Sequence, residues 1–592
     1  MNFSDTRSAD EIFDIDLAGF DMSGRIIYAP LHGSSTFIRS PEEKTAWLNQ
    51  NSAVLPVYPP ETGDFRDLTS IVILPTHRCN FNCAYCYSAM GRSTDTLSEA
   101  DIRCAVDYFL ATRRSKNKPL RLNILGGGEP LTVPKLTLDT IEYTCEKAIG
   151  QGFRISVELV TNGSLLNEEI CQTLSRYPVS VGVSFEIIPE IQQQLRGSCE
   201  PVAANLALLE KYRIPTVVQS TITPQNVRRM PEMYEILKNQ YPWIKTALFE
   251  PVISKEFFPD AEALQEFYQI YMTEYLQLRQ TADRDGIAIR QRLLNHFNRP
   301  GRRGCEGRFC ITPQAQISIC FCSSSPAEPR FAEMCYGAIR NGRVEIDENK
   351  FREIISRNAD SFSFCRDCFA RWNCAGGCML PNQLYSPEQK EILCRFTREL
   401  YVRELFRRHC VSRLAGLPEY YPYRFSKTTF YRKFKTDSYL FDCHWGKEHE
   451  PVTYQLNFYH AGNGLLLTDF FPFQWRNEPD CVRRSTSAEG KFVNVRKIVQ
   501  TCFIIFLREY AAYFPDSVMV IRGNDRDPRR RSDGISSQKL RVYYKILKKM
   551  AETCGFDTLD RLTENFFFIL PNASGSGIQR LLSHYANIQN GR

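Results

Sequence analysis

The sequence has few of the features that mark a secreted or membrane-embedded protein. No run of 18 apolar residues occurs, and the apolar stretch at residues 502–507 is far too short to span a bilayer. Residues 1–16 are acidic and lack the apolar segment of a signal peptide. The formal net charge of +7 is small for 592 residues and does not by itself indicate nucleic-acid binding. These absences predict a cytoplasmic protein without a membrane partner.

Cysteine, by contrast, is abundant, with 22 residues. Such a number would indicate disulfides in a short secreted chain, but in a large cytosolic chain it indicates metal binding. The composition, 43% hydrophobic and 24% charged, is that of an ordinary globular protein. The length predicts about three domains.

Three cysteines, Cys79, Cys83 and Cys86, follow the apolar run at residues 71–74 with CxxxCxxC spacing. Thiolates are ligands for zinc and for iron–sulfur clusters. A structural zinc needs four protein ligands, and no further Cys or His has the required spacing, since His77 is too close to Cys79. Three cysteines therefore predict a [4Fe–4S] cluster with one iron open to a small molecule. Zinc binding, or plain burial of the thiols, is the alternative.

A regular alternation of short aliphatic runs and helical patterns occupies residues 67–290. Aliphatic and β-branched runs of this length are typical of strands buried in a parallel sheet with right-handed crossovers. Six units are fewer than the eight of a closed barrel. We therefore predict an α/β fold with a partial (β/α)6 barrel, whose chemistry lies at the carboxyl ends of its strands. The predicted strands are residues 69–74, 120–125, 155–160, 179–185, 216–222 and 244–250.

Polar or glycine-rich motifs follow five of these six strands. The cysteine motif follows the first, GGGEP at residues 126–130 the second, and TNG at residues 161–163 the third. Ser184 and Glu186 end the fourth strand, and Glu250 ends the sixth. Because the carboxyl ends of the strands meet at one mouth of a partial barrel, we expect these motifs to lie together.

The CxxxCxxC spacing, with Tyr85 before its last cysteine, resembles the radical S-adenosylmethionine (SAM) enzymes. The resemblance implies that the open iron binds the amino and carboxylate groups of SAM. It assigns Gly127, Gly128 and Glu129 to the methionine amino group, where glycines let the backbone approach closely. A guanidinium suits a carboxylate for bidentate binding. The other implied cofactor-binding residues are Ser184 and Arg196, at the SAM carboxylate and ribose, and Thr161 and Asn162, beside the ribose.

One position departs from the pattern of the sulfatase-maturing relatives in this family. Those relatives carry an Asp that serves as a base in an SxDGP-like stretch. This chain has Glu186, followed by Ile187, Ile188 and Pro189. A carboxylate is retained but is one methylene longer, so we predict that Glu186 is a catalytic base or a substrate-binding residue. The formylglycine-forming activity of those relatives does not follow.

A second group of cysteines lies between residues 300 and 400. Pairs of the CxxC type often bind zinc, so two zinc ribbons are one interpretation. Eight usable thiolates without a histidine fit two [4Fe–4S] clusters as well, and the spacing resembles the SPASM extension of radical SAM maturases, with Ala315 where Gly is usual. The resemblance implies one auxiliary cluster on Cys305, Cys310, Cys320 and Cys378, and another on Cys365, Cys368, Cys374 and Cys394. Cys310 is off the best-known spacing, so Cys322 is its alternative, and Cys335 is predicted to be a core residue.

The terminal segments carry no recognised family pattern. Residues 1–66 predict a hairpin, a helix and a Pro-rich linker, which cover an open sheet edge or grip a substrate tail. A barrel at residues 67–290 and a cysteine-rich domain at 291–412 precede an α+β domain at 425–592. The patch at residues 526–549 is basic with interleaved tyrosines, but no nucleic-acid signature accompanies it, and we favour a solvated face. In the last domain the predicted strands are 428–434, 452–459, 464–470, 517–522 and 565–570, and the predicted helices are 492–513, 535–554 and 577–588.

The family resemblance covers residues 70–400 and implies a radical SAM/SPASM enzyme. In that family a reduced cluster cleaves SAM to a 5′-deoxyadenosyl radical, which abstracts a hydrogen atom from the substrate. SPASM enzymes mostly modify peptides, so the expected substrate is a ribosomally made precursor peptide that receives a cross-link or an oxidation. Alternatives are maturation of a protein side chain, as in sulfatase activation, and a non-catalytic iron–sulfur redox or scaffold protein. An electron donor such as flavodoxin or ferredoxin is the other expected partner.

Overall fold

The computed structural model describes residues 6–7, 11–20, 22, 24–38, 40–51, 54–59, 63–305, 307–329, 331–414, 417, 419–431, 434–443, 451–477, 494–522, 538–561, 566–571 and 577–589. By its internal contacts the chain forms two compact units, one of Met1–Pro56 with Glu399–Arg592 and one of Val57–Arg398. The four-domain division stays a prediction. No helix within the described ranges has both the length and the apolar character needed to cross a membrane.

The amino-terminal part of the first unit is a four-stranded antiparallel sheet in the order β1-β2-β3-β4. Buried Ile26 and Ile27 lie on its third strand. Buried Asp14 accepts hydrogen bonds from Arg25 at 2.8 Å and from Lys44 at 2.7 Å. The predicted hairpin and helix are confirmed. The elements are β1 Thr6–Arg7, β2 Phe13–Asp16, β3 Arg25–Ala29, β4 Ser34–Ile38 and α1 Pro41–Asn51.

The second unit is built on a parallel sheet that contains all six strands predicted for the barrel. Each strand is an aliphatic run that is largely buried, and each is followed by a helix that returns the chain to the opposite end of the sheet. The strands are β5 Ser70–Ile73, β6 Leu120–Ile124, β7 Ile155–Thr161, β8 Val179–Ser184, β9 Thr216–Ile222 and β10 Thr246–Pro251. The helices are α2 Glu99–Ala111, α3 Pro134–Gly150, α4 Glu168–Leu174, α5 Pro189–Leu195, α6 Glu200–Lys211, α7 Met230–Gln240 and α8 Ala261–Asp285. Ser98 caps α2, accepting from the backbone N–H of Asp101 at 3.0 Å.

The sheet continues beyond both edges of the six predicted strands. Strand β11 pairs in parallel with β10, and β12 pairs in parallel with β5 before an antiparallel extension through β15. The strand order is linear, β11-β10-β9-β8-β7-β6-β5-β12-β13-β14-β15. These added elements are β11 Ala288–Arg290, α9 Arg292–Phe297, β12 Phe309–Ile311, β13 Gln316–Ser318, α10 Phe331–Met334, β14 Cys335–Arg340, β15 Arg343–Ile346, α11 Glu348–Ser356 and α12 Met379–Leu384. Helix α13, Pro387–Leu414, follows, and the division between the two units falls within it.

The carboxyl-terminal part of the first unit is a seven-stranded mixed sheet in the order β16-β17-β18-β19-β20-β22-β21. The five predicted strands and three predicted helices are found there, and β17 and β21 are additional. The strands are β16 Tyr423–Tyr431, β17 Phe434–Cys443, β18 Val452–His460, β19 Leu465–Pro472, β20 Val518–Arg522, β21 Asp557–Arg561 and β22 Phe566–Leu570. The helices are α14 Val495–Phe506, α15 Gln538–Cys554 and α16 Gly577–Gln589. Residues 526–531 of the basic patch lie outside the described residues.

Candidate functional site

The three closely spaced cysteines lie on a loop that leaves the carboxyl end of β5. Cys79, Cys83 and Cys86 are all half-buried and free of disulfide bonds. The Cys86 backbone N–H donates to the carbonyl of Cys83 at 3.2 Å, and Ala84 donates to the carbonyl of Leu195 at 2.8 Å. Burial raises the pKa of the Cys79 and Cys83 thiols. The loop thus presents three thiols on one short segment anchored to the end of α5.

These thiols suit a cluster with several metal atoms. Within the described residues, no three His, Cys, Asp or Glu side chains stand close enough to share a single metal ion. A [4Fe–4S] cluster is a larger body that takes one thiolate on each iron. Three half-buried thiols on one loop are donors of the chemical kind that such clusters take.

The glycine-rich end of β6 packs directly against this cysteine loop. Gly126 and Gly127 have positive φ angles of 67° and 69°, which glycine adopts without strain. A β-carbon on Gly128 would lie 2.1 Å from the carbonyl oxygen of Arg78, next to the first cysteine of the loop. Glu129 donates its backbone N–H to the same carbonyl at 2.7 Å. Glycine is required here because two backbones touch.

The buried carboxylate of Glu129 joins the ends of β6 and β7. It accepts a hydrogen bond from the Thr161 hydroxyl at 2.6 Å and one from the Asn162 backbone N–H at 2.7 Å. Burial raises the pKa of Glu129, and the hydrogen bonds from Thr161 and Asn162 oppose that shift. The Asn162 amide then reaches the cysteine loop, donating to Asn80 at 2.8 Å. Three of the predicted cofactor-binding residues therefore form one network with the loop.

Glu186, just beyond β8, forms a second network with two other predicted residues. It is fully buried and accepts from the hydroxyl of Tyr85 and, at 3.3 Å, from Arg196. Arg196 also donates to the Tyr85 hydroxyl at 3.2 Å. Ser220 donates to the second carboxylate oxygen at 2.6 Å. The surroundings of Glu186 are polar, because donors from β9 and from the cysteine loop converge on it, and its role as a base stays a prediction.

Ser184 and Glu250 mark the same mouth on strands further along the sheet. Ser184 is half-buried, and its strand pairs with β9 at Gln219. Glu250 pairs with Thr221 of β9 and accepts the backbone N–H of Arg292 at 2.5 Å. Burial raises the pKa of Glu250 to about 7. The sixth strand thus carries a carboxyl group that titrates near neutral pH.

The second cysteine group divides into neighbouring sets. Burial is the largest cause that raises the pKa of Cys374. The negative charges of nearby thiolates raise it further, in the order Cys368, Cys394 and Cys365. Burial, and then Cys320 and Cys305, raise the pKa of Cys378 to about 11. The segment before Cys305 is held to this region, since Gly304 donates its N–H to the carbonyl of Ala375 at 2.8 Å. Cys374 thus neighbours one group of cysteines and Cys378 another, and the assignment of the two groups to clusters stays a prediction.

Cys310 and Cys322 differ in their surroundings. Cys310 is fully buried on β12 in an apolar cluster with Val72 and Leu74. Cys322 is half-buried, and its hydrogen bond to Cys320 lowers the pKa of Cys320 to about 7. Two further residues of this region, Ala315 and Cys335, also have described positions. Ala315 adopts a positive φ of 57°, the conformation that glycine favours, and Cys335 is half-buried at the start of β14.

Several site residues carried no sequence signal. Ser220 and Thr221 lie inside a strand, and their donation to Glu186 depends on the register of β9 beside the end of β8. Asn80 lies within the cysteine motif, yet its contact with Asn162 depends on the packing of two loops. Gln192, whose side chain accepts the Glu186 backbone N–H at 3.0 Å, stands in a run of three glutamines without a distinguishing pattern.

Comparison with known proteins places this site in a family context. Residues 73–237 match the model of the Radical SAM superfamily. An uncharacterized protein of Methanocaldococcus jannaschii is 25% identical over 173 residues, which are 28% of this chain and 57% of that protein. The AdoMet-dependent heme synthase of Methanosarcina barkeri is 26% identical over 317 residues, 49% of this chain and 83% of the synthase.

Two further similarities involve a protein named for bacteriocin biosynthesis and a solved structure that contains a peptide. The antilisterial bacteriocin subtilosin biosynthesis protein AlbA of Bacillus subtilis is 25% identical over 182 residues, 28% of this chain and 38% of AlbA. A solved structure of native anSMEcpe with bound AdoMet and Kp18Cys peptide has 18% identity and a TM-score of 0.46, covering 56% of this chain and 97% of that one. That TM-score is too low to carry an argument.

Proposed function

We propose that this chain, whose residues 73–237 form a radical SAM domain, cleaves SAM reductively and modifies a ribosomally made peptide with the resulting radical. One observation supports the proposal most directly. The cysteine loop, the GGGEP turn and the TNG turn are joined by hydrogen bonds at the carboxyl ends of adjacent parallel strands. Such an edge is where barrel enzymes hold their ligands.

Cys79, Cys83 and Cys86 would hold a [4Fe–4S] cluster that leaves one iron to SAM. When bound, the cluster and SAM together would supply a 5′-deoxyadenosyl radical able to abstract a hydrogen atom from an unactivated carbon. The protein's own part is to bind SAM, orient it and exclude water. Gly127 and Gly128 let the backbone approach the methionine amino group.

The side chains around the loop are suited to the polar ends of SAM. Glu129 offers a buried anion for the methionine amino group, although it already binds Thr161 and Asn162. Arg196 is the buried cation for the carboxylate, 3.3 Å from Glu186. We propose Thr161, Asn162 and Ser184 beside the ribose.

Two auxiliary [4Fe–4S] clusters complete the proposal. The surroundings of Cys374 support a set that consists of Cys365, Cys368, Cys374 and Cys394. Those of Cys378 support a second set with Cys305 and Cys320, and its fourth ligand is Cys310 or Cys322. These clusters would accept an electron from the substrate or hold the substrate in position. An external donor such as flavodoxin or ferredoxin would supply the electron for SAM cleavage.

The relatives support two substrate classes. AlbA is named for bacteriocin biosynthesis, which favours a peptide and a product with a cross-link or an oxidation. The heme synthase matches over a larger share of both proteins, which makes a porphyrin side chain the second candidate. A protein side chain, as in sulfatase maturation, is a close variant of the first class.

The decisive experiment measures 5′-deoxyadenosine formed by anaerobically reconstituted, dithionite-reduced protein. We expect product from the native chain and none above background from the variant Cys79→Ala/Cys83→Ala/Cys86→Ala. Cys104→Ala is a matched control, because Cys104 is a half-buried cysteine on α2 that donates to the carbonyl of Gly342. Equal 5′-deoxyadenosine from the native chain and the triple variant would favour a non-catalytic iron–sulfur protein.

The substrate class is tested by mass spectrometry once SAM cleavage is established. Short peptides encoded beside the gene are incubated with the reduced protein and SAM, and a porphyrin is tested in parallel. A cross-link or two-electron oxidation lowers the peptide mass by about 2 Da, since two hydrogen atoms leave. A change confined to the porphyrin would replace the peptide proposal with the second candidate.

A further inference from the structure

Glu186 is the most completely hydrogen-bonded carboxylate of the site. It has no exposed surface, and its oxygens accept from the Tyr85 hydroxyl, the Ser220 hydroxyl and the backbone N–H of Thr221. Arg196 at 3.3 Å and the amide of Asn226 at 3.4 Å complete the shell. A carboxylate has about four lone-pair positions, and these five groups occupy them. A substrate proton would have to displace one of these donors to reach Glu186.

The donors come from four separate segments that meet only in the folded chain, one of them the turn after β9 that carries Asn226. Tyr85 belongs to the cysteine loop, Ser220 and Thr221 to β9, and Arg196 to the segment after α5. Glu186 thus binds the cysteine loop, the sheet and Arg196, which is the only charged side chain among these donors. Removing one partner of a buried ion pair leaves the other uncompensated and is strongly unfavourable.

Arg196 has the features of a cation held in place for a ligand. One of its terminal nitrogens is used by Glu186 and Tyr85, at 3.3 and 3.2 Å. Within the described part of the chain, its Nε has no hydrogen-bond partner. About a tenth of the side chain, 11%, remains accessible. The charge of Arg196 also acts on Cys83, so the guanidinium lies beside the cysteine loop.

The backbone beside Glu186 is held in an unfavourable conformation. Ile187 has a positive φ of 65°, which is rare for a β-branched residue, and the N–H of Ile188 donates to the Glu186 carbonyl at 2.7 Å. Such strain persists only where the surroundings fix the conformation. The hydrogen bonds to Glu186, together with the burial of both isoleucines, provide that fixation.

We propose that Glu186 is a positioning residue, which holds Arg196 and Tyr85 so that the guanidinium receives the carboxylate of SAM, and that it is not the proton acceptor of the reaction. This inference rests on the proposed function for its ligand. It predicts that loss of the Glu186 charge weakens SAM binding and leaves the chemistry after binding intact.

The test compares Glu186→Gln with the native holoenzyme by equilibrium dialysis of SAM and by steady-state kinetics. We expect the Kd for SAM to rise about tenfold, because the amide cannot pair with the guanidinium charge. The rate of 5′-deoxyadenosine formation at saturating SAM and the iron content should change by less than about threefold. Asp285→Asn is the matched control, because Asp285 at the end of α8 also accepts from a tyrosine hydroxyl and a cation, Tyr234 at 2.7 Å and Lys238 at 2.8 Å. It lies outside the candidate site, so its loss should leave the SAM Kd unchanged.

A second pair of variants gives an answer even where Glu186→Gln does not fold. Arg196→Lys and Tyr85→Phe each remove a donor to Glu186, and a connected unit predicts that their effects on the SAM Kd are non-additive. Additive effects would overturn the inference. So would an unchanged SAM Kd for Glu186→Gln with normal SAM cleavage and no substrate modification, because that pattern indicates a base. If the native protein binds no SAM, the proposed function itself fails, and the two failures are thereby distinguished.

Discussion

Glu250 ends β10 with a carboxyl group whose pKa burial raises to about 7. The groups that face it are Arg292, which lowers the pKa, and Tyr268 and Tyr271 of α8. In the unfolded chain the carboxyl ionises near its ordinary pKa of about 4.5. The folded state therefore disfavours the ionised form, and stability is lost as pH rises through about 7.

The variant Glu250→Gln should remove this pH-dependent cost. We compare the free energy of unfolding of the variant with that of the native chain at each pH. We expect the difference in favour of the variant to be about 1 kcal/mol larger at pH 8.5 than at pH 6.0. Urea unfolding followed by circular dichroism at the two pH values measures the difference. Glu146→Gln, at an exposed position on α3, is the control and should show no such growth. An equal effect of the Glu250 change at both pH values would contradict the prediction.

At the residue scale, sequence reasoning singled out individual side chains of the site but not the contacts between them. Glu186, Tyr85 and Arg196 were all singled out, on the motifs that carry them. Their mutual contacts were not predicted, because Tyr85 and Glu186 are 101 positions apart in the chain. Ile187 and Ile188 are buried, yet the carboxylate of Glu186 between them and β8 is surrounded by polar donors.

At the element scale, the six barrel strands were predictable because each is a continuous aliphatic run between helical patterns. The strands of the extension were not, because β11, β12 and β13 have 3 residues each and too little periodicity to read. Strand β17 was missed for another reason. The predicted strand at residues 428–434 reaches only its first residue, Phe434, and β17 pairs antiparallel with β16.

The turn after β6 provides a test at the same scale. We expect Gly128→Ala to separate this turn from the cysteine loop, because the new methyl group would lie 2.1 Å from the carbonyl oxygen of Arg78, a backbone atom that cannot move alone. Overpacking of this kind costs about 1–3 kcal/mol. The melting temperature should fall, and the protein should lose about four irons after reconstitution.

Gly150→Ala is the control for this change. Gly150 is the last residue of α3, and nothing lies within 4 Å of the position that a β-carbon would occupy. That variant should keep the native iron content and melting temperature. Full iron content in Gly128→Ala would show that the glycine does not set the position of the cysteine loop.

At the scale of the whole molecule, the two proposed auxiliary sets draw on cysteines from separate segments of the chain, whereas Cys79, Cys83 and Cys86 share one loop. Their membership was inferred from a family spacing, which does not itself reveal proximity. Cys305 and Cys378 illustrate the gap, since only folding brings the turn at Gly304 against the carbonyl of Ala375. The spacing of the cysteines could not decide between Cys310 and Cys322 as a ligand. That choice depends on which side chain is buried in an apolar core.

Iron content tests the three sets together. Three [4Fe–4S] clusters require about twelve irons per chain, and substitution of Cys365, Cys368 and Cys374 by Ser should remove about four. We expect Cys322→Ser to lower the iron content of the reconstituted protein and Cys310→Ser to leave it intact. The reason is that Cys310 packs with Val72 and Leu74, whereas Cys322 hydrogen-bonds to Cys320.

Mössbauer spectra would identify which cluster each substitution removes, so a general loss of folding is told apart from loss of one ligand. Cys171→Ser serves as a control for a buried cysteine, because Cys171 lies on α4. Loss of iron in Cys310→Ser with none in Cys322→Ser would restore the ligand set that the family spacing implies. Zinc in place of iron at these positions would instead support the ribbon interpretation, because tetrahedral thiolate sites accept either metal and only elemental analysis of the protein separates them.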